Sequence, residues 1–382
     1  MINTERLADT FSSLVRIDSL SRQEKEVSKV LQGILSDLGA EIFIDDAGDK
    51  LDGNAGNLVA RFKGMVNVEP LMLCGHMDTV EPGKGIDPYL DNGIFRSTGD
   101  TILGADDKSA LAVIIEVMRV IRENRLPHGP IEVVFTVCEE AGLLGAKHMD
   151  LSLIESKMGY ILDATDTGGI FTRAPFASRF NITFNGKSAH SGASPEKGVS
   201  AIVLASKMIS ALPWGRIDHE TTCNVGKIEG GVATNIIPET AVLLGEVRSH
   251  SREKMEDIIQ AIRTTSERVV AEARETSPDE KFPTVDIHFQ EDFPGTNIPD
   301  DHPVVVLARE AAGRLDMPME CKTTGGGADA NIFFGKGIVC GVLGTGMTDV
   351  HTVNESIALS DMVDAARLLL EIIALHTRGH KA

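Results

Sequence analysis

Cysteine is sparse in this chain: Cys74, Cys138, Cys223, Cys321 and Cys340 are scattered over 382 residues. They are too few and too far apart for a disulfide framework, and their odd number leaves one unpaired, so a reducing compartment fits best. No window approaches the roughly eighteen consecutive apolar residues of a membrane-spanning helix. The opening stretch, MINTERLADTFSSLVRI, mixes charge with apolar residues at helical spacing and has no apolar core long enough for a signal peptide. These absences predict a cytoplasmic protein. Positive charge is also short, with 37 Lys and Arg against 56 Asp and Glu and a net charge of −19. Phosphate backbones and anionic lipid would repel such a chain, which argues against nucleic-acid and membrane partners. There is no internal repeat and no low-complexity tract. What is present is 42% apolar residues, enough for a packed core, over a length that suggests two domains at roughly 100 to 200 residues each.

Apolar spacing predicts two amphipathic helices at the start, one through Leu7, Phe11, Leu14 and Val15, the next through Val27, Val30, Leu31, Ile34 and Leu38 with Gly39 as its cap. Short continuous apolar runs then alternate with helical stretches: 57–62, 71–76, a long helix from Lys108 to about Glu123, 131–137 and 158–164. That alternation predicts an α/β fold with a mixed, mainly parallel sheet sandwiched by helices. Near residue 176 the pattern changes to alternation of Phe180, Ile182 and Phe184 with Asn181, Thr183 and Asn185, the mark of a strand with one wet face. Strand, helix, strand, strand, helix, strand follow in order, a ferredoxin-like α+β pattern. The expected organisation is a discontinuous main domain, 1–176 and 291–382, with a smaller one, 177–290, inserted into it.

Acidic and histidine clusters recur at the ends of the inferred parallel strands. His76 and Asp78 lie in GHMDTV, Asp106 and Asp107 in GADDKSA, Glu139 and Glu140 in VCEEAG, Asp163 in LDAT and His351 in DVHTVNE. Ligands of open α/β sheets bind beyond the carboxyl ends of the strands. Taken singly, Asp106 reads equally as a helix N-cap, His76 as a hydrogen-bonded edge histidine and the glutamates as a solvated pair. Taken together, so many carboxylates at one sheet edge would repel one another unless cations held them. Imidazole and carboxylate without thiolate suit zinc, with cobalt or manganese as substitutes. In the H-x-D spacing, Asp78 can orient His76 through its other ring nitrogen. Cys74 and Cys138 end apolar strands beside these motifs and read as small buried hydrophobes rather than nucleophiles.

GHMDTV, GADDKSA, VCEEAGLLGAK, LDAT, GKSAHSG, GGVATNIIP, EVRS and DVHTVNE, in this order over nearly the whole chain, resemble the dizinc exopeptidases that include peptidase T, glutamate carboxypeptidase and succinyl-diaminopimelate desuccinylase. GADDK followed by EEAG is most similar to peptidase T and its relatives. The resemblance implies a phosphorylase/hydrolase-like catalytic domain and two Zn2+ per subunit. Asp106 would bridge the ions, His76 and Asp163 would hold one, Glu140 and His351 the other, and Glu139 would be the general base. Asp166 lies near Asp163; we assign the ligand to Asp163, directly after its apolar strand. The resemblance further implies a cis peptide between Asp106 and Asp107, and an inserted domain acting as a lid through which the protein dimerises. His190 would reach the partner's active site, and Asn235 and Arg248 would contact substrate. Arg248 could equally be a strand arginine paired with Glu246. The glycine-rich TTGGGADAN lacks the Lys-Ser/Thr ending of a phosphate loop, and beside the family it reads as a turn lining the substrate pocket, with Gly326 and Gly327 letting backbone approach the ligand. The expected activity is zinc-dependent cleavage of short peptides, tripeptides in particular, at the N-terminal side. Alternatives are an N-acyl amino-acid deacylase or carboxypeptidase of the same chemistry, and an inactive relative that serves as a binding protein.

Overall fold

Strands that are apolar along their whole length cannot face water on either side, so they belong at the centre of a sheet with helices over both faces. In the computed structural model, which describes residues 1–277 and 279–379, Leu71–His76 and Ile131–Thr136 are buried at every position and run parallel, side by side. Met158–Ala164 joins Leu71–His76 on its other side, and Val339–Gly344 joins Met158–Ala164, both parallel. These strands form the middle of a nine-stranded mixed sheet. The flanks turn antiparallel: Leu58–Phe62 against Ile131–Thr136, Glu41–Ile44 against Leu58–Phe62, and Gly169–Ala174 against Val339–Gly344. Glu41–Ile44 has a mixed burial pattern, which is why an apolar-run criterion passes over it.

The helices that cover this sheet follow the apolar spacing closely. Thr4–Val15 buries Leu7, Phe11, Leu14 and Val15 and is capped by the Asn3 side chain, which accepts from the Arg6 amide. Lys25–Asp37 buries Val27, Leu31 and Leu35, and Gly39 follows it with the positive φ that glycine adopts at low cost. Val30 lies off that face and is exposed. Ala105–Asn124 is buried along almost its entire length, and each of its fully enclosed Leu, Ile and Val side chains contributes on the order of 1.5 to 3 kcal/mol. Among the described residues no helix is long and apolar enough to cross a membrane, and the five cysteines are all free.

Residues 1–173 and 297–382 form one compact unit and 174–296 another. The second boundary falls later than residue 290 because the strand Thr284–Phe293 runs on through a register shift near Glu291. In the smaller unit the strands Thr221–Gly230, Thr240–Ser249, Phe176–Asn185 and Thr284–Phe293 lie side by side in that order, all antiparallel, with Gly215–Arg216 added at one edge. The helices Ala201–Ser210 and Arg252–Arg274 pack over the apolar face made by Phe180, Ile182, Phe184 and Leu243. This is the ferredoxin-like order. The unit's two ends meet: the Ala174 amide donates to Thr296 Oγ1 at 2.9 Å.

One polar contact ties the first helix to the long one. Glu116, on the buried face of Ala105–Asn124, is fully enclosed and accepts from Arg6 Nε at 2.7 Å, Arg6 Nη2 at 2.9 Å and the Asn3 amide at 2.9 Å. The Arg6 guanidinium also reaches Glu123. Removing one member of a buried pair strands the other charge. Arg6→Ala is therefore expected to lower stability by about 3 kcal/mol in denaturant unfolding at neutral pH, whereas loss of the exposed Arg367–Asp364 pair through Arg367→Ala should change it by less than about 0.5 kcal/mol. Equal effects would show that Arg6 contributes no more than a surface charge.

Candidate active site

The parallel strands deliver their acidic and histidine residues to one edge. His76 ends its strand, and its Nδ1 lies 3.0 Å from the Asp78 carbonyl and 3.4 Å from Asp78 Oδ1. Nε2 is turned to the other side, 3.0 Å from Asp106 Oδ1 and 4.0 Å from Asp163 Oδ1. Asp78 is itself completely buried and fixed, accepting from the amides of Glu139 and Glu140 and from Ser21 Oγ.

Asp106 does not cap its own helix. The Glu355 carboxylate does so from more than two hundred residues away: it accepts from the amides of Leu103, Gly104 and Asp106 at 2.8, 2.7 and 3.0 Å. With those amides satisfied, the Asp106 side chain points elsewhere, and its peptide bond to Asp107 is cis, as the resemblance implied. Asp106 Oδ1 faces His76, and Asp106 Oδ2 lies 3.3 Å from Nε2 of His351. His351 sits on the loop between the short strands Met347–Thr348 and Ser356–Ala358, at a positive φ, and its Nε2 is also 2.9 Å from Glu140 Oε1. One aspartate thus stands between two histidines, with Glu140 beside one and Asp163 beside the other. Asp166 is directed away from the cluster and pairs with Lys322.

The electrostatics record the crowding. Burial, and then the neighbouring carboxylates, push the acids of Asp163 and Glu139 well above the ordinary range. Burial would raise Asp106 too, but hydrogen bonds from His351 and His76 hold it below. The His351 imidazole is pushed up to about 10 by its hydrogen bonds with Asp106 and Glu140. Positive charge is what this edge attracts, and the donor set of imidazole nitrogens and carboxylate oxygens suits divalent cations. Ligand atoms of His76, Asp106 and Glu140 lie within 4.8 Å of one another, as do those of His76, Asp107 and Asp163.

Further buried carboxylates crowd this site. Asp107 accepts from the His76 amide at 3.1 Å, and its Oδ1 is buried with no hydrogen-bond partner among the described residues. Asp329, at the end of the glycine-rich turn, accepts from Thr136 Oγ1 at 2.6 Å, and burial raises it to about 6. Glu24 is fully buried behind Cys138. A carboxylate's burial is set by distant chain segments, so of these three only Asp107, at the helix start in GADDKSA, was singled out by the sequence. Gly326 and Gly327 lie in the loop before the helix Asp329–Gly335, and a Cβ at Gly326 would meet only Thr324 Oγ1, so the loop's own packing does not demand glycine there. The thiols of Cys74 and Cys138 are buried and raised by that burial, Cys138 to about 12, as inert side chains are.

Within the smaller unit, His190 Nδ1 accepts from the amides of Gly192 and Ala193, both at 3.2 Å, which leaves the proton of the neutral ring on Nε2. The Asn235 carbonyl accepts from the Ser191 amide, so Asn235 and His190 are neighbours. Arg248 pairs with Glu246 at 3.0 Å and lies over the Phe293 ring.

Residues 72–375 match Peptidase family M20/M25/M40. An uncharacterised Bacillus subtilis protein, YqjE, is 40% identical over 98% of this chain and 99% of its own. The crystal structure of aminopeptidase PepT from Bacillus cereus is 40% identical, with a TM-score of 0.91 and 99% of each chain covered. A Staphylococcus aureus tripeptidase is 36% identical, with a TM-score of 0.92 over 99% of this chain and all of the other. A strand order, a histidine-carboxylate edge and a sequence match that agree over most of the length leave one assignment: the chain belongs to peptidase family M20/M25/M40.

Proposed function

We propose that this protein is a two-zinc aminopeptidase of the peptidase T type that acts on short peptides, tripeptides among them, in the cytoplasm. The observation that carries the proposal is Asp106, whose two carboxylate oxygens each face a different histidine. His76, Asp106 and Asp163 would hold one ion, and Asp106, Glu140 and His351 the other. Bound there, the two ions would polarise the scissile carbonyl and acidify a water.

Glu139 is the proton carrier. It is buried, stands next to Glu140 on the turn after Ile131–Thr136, and its raised affinity for protons suits a base that must take one from water and release it to a leaving amine. Asp78 orients His76 through Nδ1, so that Nε2 is the ligating nitrogen. His190, with its proton on Nε2, is disposed to donate to the oxyanion that forms as water adds to the carbonyl. It would do so across a homodimer formed through the inserted domain, which would serve as a lid. Asn235, adjacent to it, would contact substrate. Arg248 would exchange Glu246 for the peptide carboxylate, and Gly326 and Gly327 would let backbone line the pocket. Similarity to an aminopeptidase and a tripeptidase supports the peptide reading over the N-acyl amino-acid one.

Incubation of the zinc-loaded protein with tripeptides, dipeptides and N-acyl amino acids should release free N-terminal amino acids from tripeptides fastest. Release only from acyl compounds would overturn the peptide assignment, and no metal-dependent release at all would sink the enzyme reading. Glu139→Gln should keep both ions, measured by elemental analysis, and lose at least about a hundredfold in kcat, while Glu140→Gln should lose metal. The opposite pattern would exchange the two roles. A mixture of inactive His190→Ala and Glu139→Gln subunits should recover activity on subunit exchange, because some mixed dimers pair an intact Glu139 site with an intact His190. Persistent inactivity, or sedimentation as a 41 kDa monomer, would refute action across the dimer.

A further inference from the structure

Glu139 and Glu140 stand on a turn, and side chains on a turn keep their place only if something outside holds the backbone. Three successive amides of this turn donate to carboxylates: Cys138 to Glu24 Oε1 at 3.0 Å, Glu139 to Asp78 Oδ1 at 2.9 Å and Glu140 to Asp78 Oδ2 at 3.2 Å. Asp78 is accounted for by its work on His76. Glu24 is not; it belongs to the connection between the first two helices.

That connection, Ser19–Glu24, is stitched to the site at every turn. Ser19 Oγ donates to the Met77 carbonyl at 2.8 Å, and the Thr79 amide donates back to the Ser19 carbonyl at 3.0 Å. Ser21 Oγ donates to Asp78 Oδ2 at 2.6 Å. Glu24 Oε1 accepts from the Arg22 amide as well as from Cys138, which fixes the carboxylate within its own segment. Upstream, the buried Lys108 Nζ donates to the carbonyls of Leu14 and Ile17 at 3.2 and 2.9 Å, anchoring the segment to the helix Ala105–Asn124.

Glu24 is wholly enclosed, and its second oxygen has no hydrogen-bond partner among the described residues. A buried acid close to Asp78 costs desolvation and repulsion that a small neutral side chain at the same place would not incur. Its position is explained by what it grips: the residue just before the general base, Cys138, is held at φ +52, a conformation that a branched or bulky side chain disfavours.

We propose that Ser21 and Glu24 are positioning residues for Glu139: Glu24 clamps the turn at Cys138, Ser21 fixes the carboxylate that clamps it at Glu139 and Glu140, and together they set where the base meets the water. The inference rests on the reading of Glu139 as general base and adds to it the residues that hold the base in place.

The test compares Glu24→Ala, Glu24→Gln, Ser21→Ala and Ser21→Thr in the zinc-loaded full-length protein, with kcat, KM, zinc content and melting temperature measured for each. Glu24→Ala should lower kcat about tenfold or more with KM changed by less than about twofold. Glu24→Gln keeps an oxygen for the Cys138 and Arg22 amides and should return kcat to within about threefold of the parent. Ser21→Ala should lower kcat severalfold, and Ser21→Thr, which restores the hydroxyl, should recover it. Equal losses in the Ala and Gln forms of Glu24, or a lower melting temperature with unchanged kcat per metal-loaded molecule, would overturn the proposal. If Glu24→Ala does not fold, the Ser21 pair decides: a Ser21→Ala protein with parental kcat overturns it. Glu139→Gln measured alongside separates the two readings. Activity in that variant would remove the base itself, whereas an inactive Glu139→Gln beside fully active Ser21 and Glu24 variants would remove only the clamp.

Discussion

Carboxylates gathered at the edge of a sheet repel one another, and the rest of this structure is arranged to keep them together. Asp106 is the hinge of that arrangement because its carboxylate stands between His76 and His351. It is free to do so only because Glu355 satisfies the amides at the start of the helix. An aspartate at that position ordinarily turns back on its own helix. Here the cap is supplied from a distant part of the chain, and the local aspartate is left to face the two histidines. The parallel strands, the buried helix and the long return of the chain to residue 355 all serve that one placement.

Much of the fold could be read from periodicity. Continuous apolar runs marked the central strands, because a strand buried on both faces has no room for alternation, and Phe180, Ile182 and Phe184 marked the change to a sheet with one wet face. The edge strand Glu41–Ile44 and the short strands around His351 escaped, since short, partly exposed strands carry too little pattern. Val30 shows the limit in the other direction: apolar and at a plausible helical spacing, it nevertheless faces water.

At the site, strand ends drew attention to His76, Asp78, Glu139, Glu140 and Asp163, and a helix start to Asp106; the structure sets His76 and His351 on either side of Asp106, with Asp163 and Glu140 beside them. Glu355, Asp329 and Glu24 were illegible for a physical reason. Each is an acidic residue whose significance lies in being buried against backbone amides or a hydroxyl from another part of the chain. No local pattern distinguishes such a residue from a solvated one in a chain with 56 acidic side chains. The net charge conceals, within a mostly solvating surface, a few carboxylates that do structural work in the interior.

The hydrogen bond from the Ala174 amide to Thr296 Oγ1 has a consequence for how such a chain can change over time. Because the smaller unit leaves and rejoins the main one at neighbouring points, the strand spacing there does not fix its length. A different module could occupy the same doorway without altering the register of a single central strand. Sequence within the insertion could then drift while the cluster around Asp106 stays as it is.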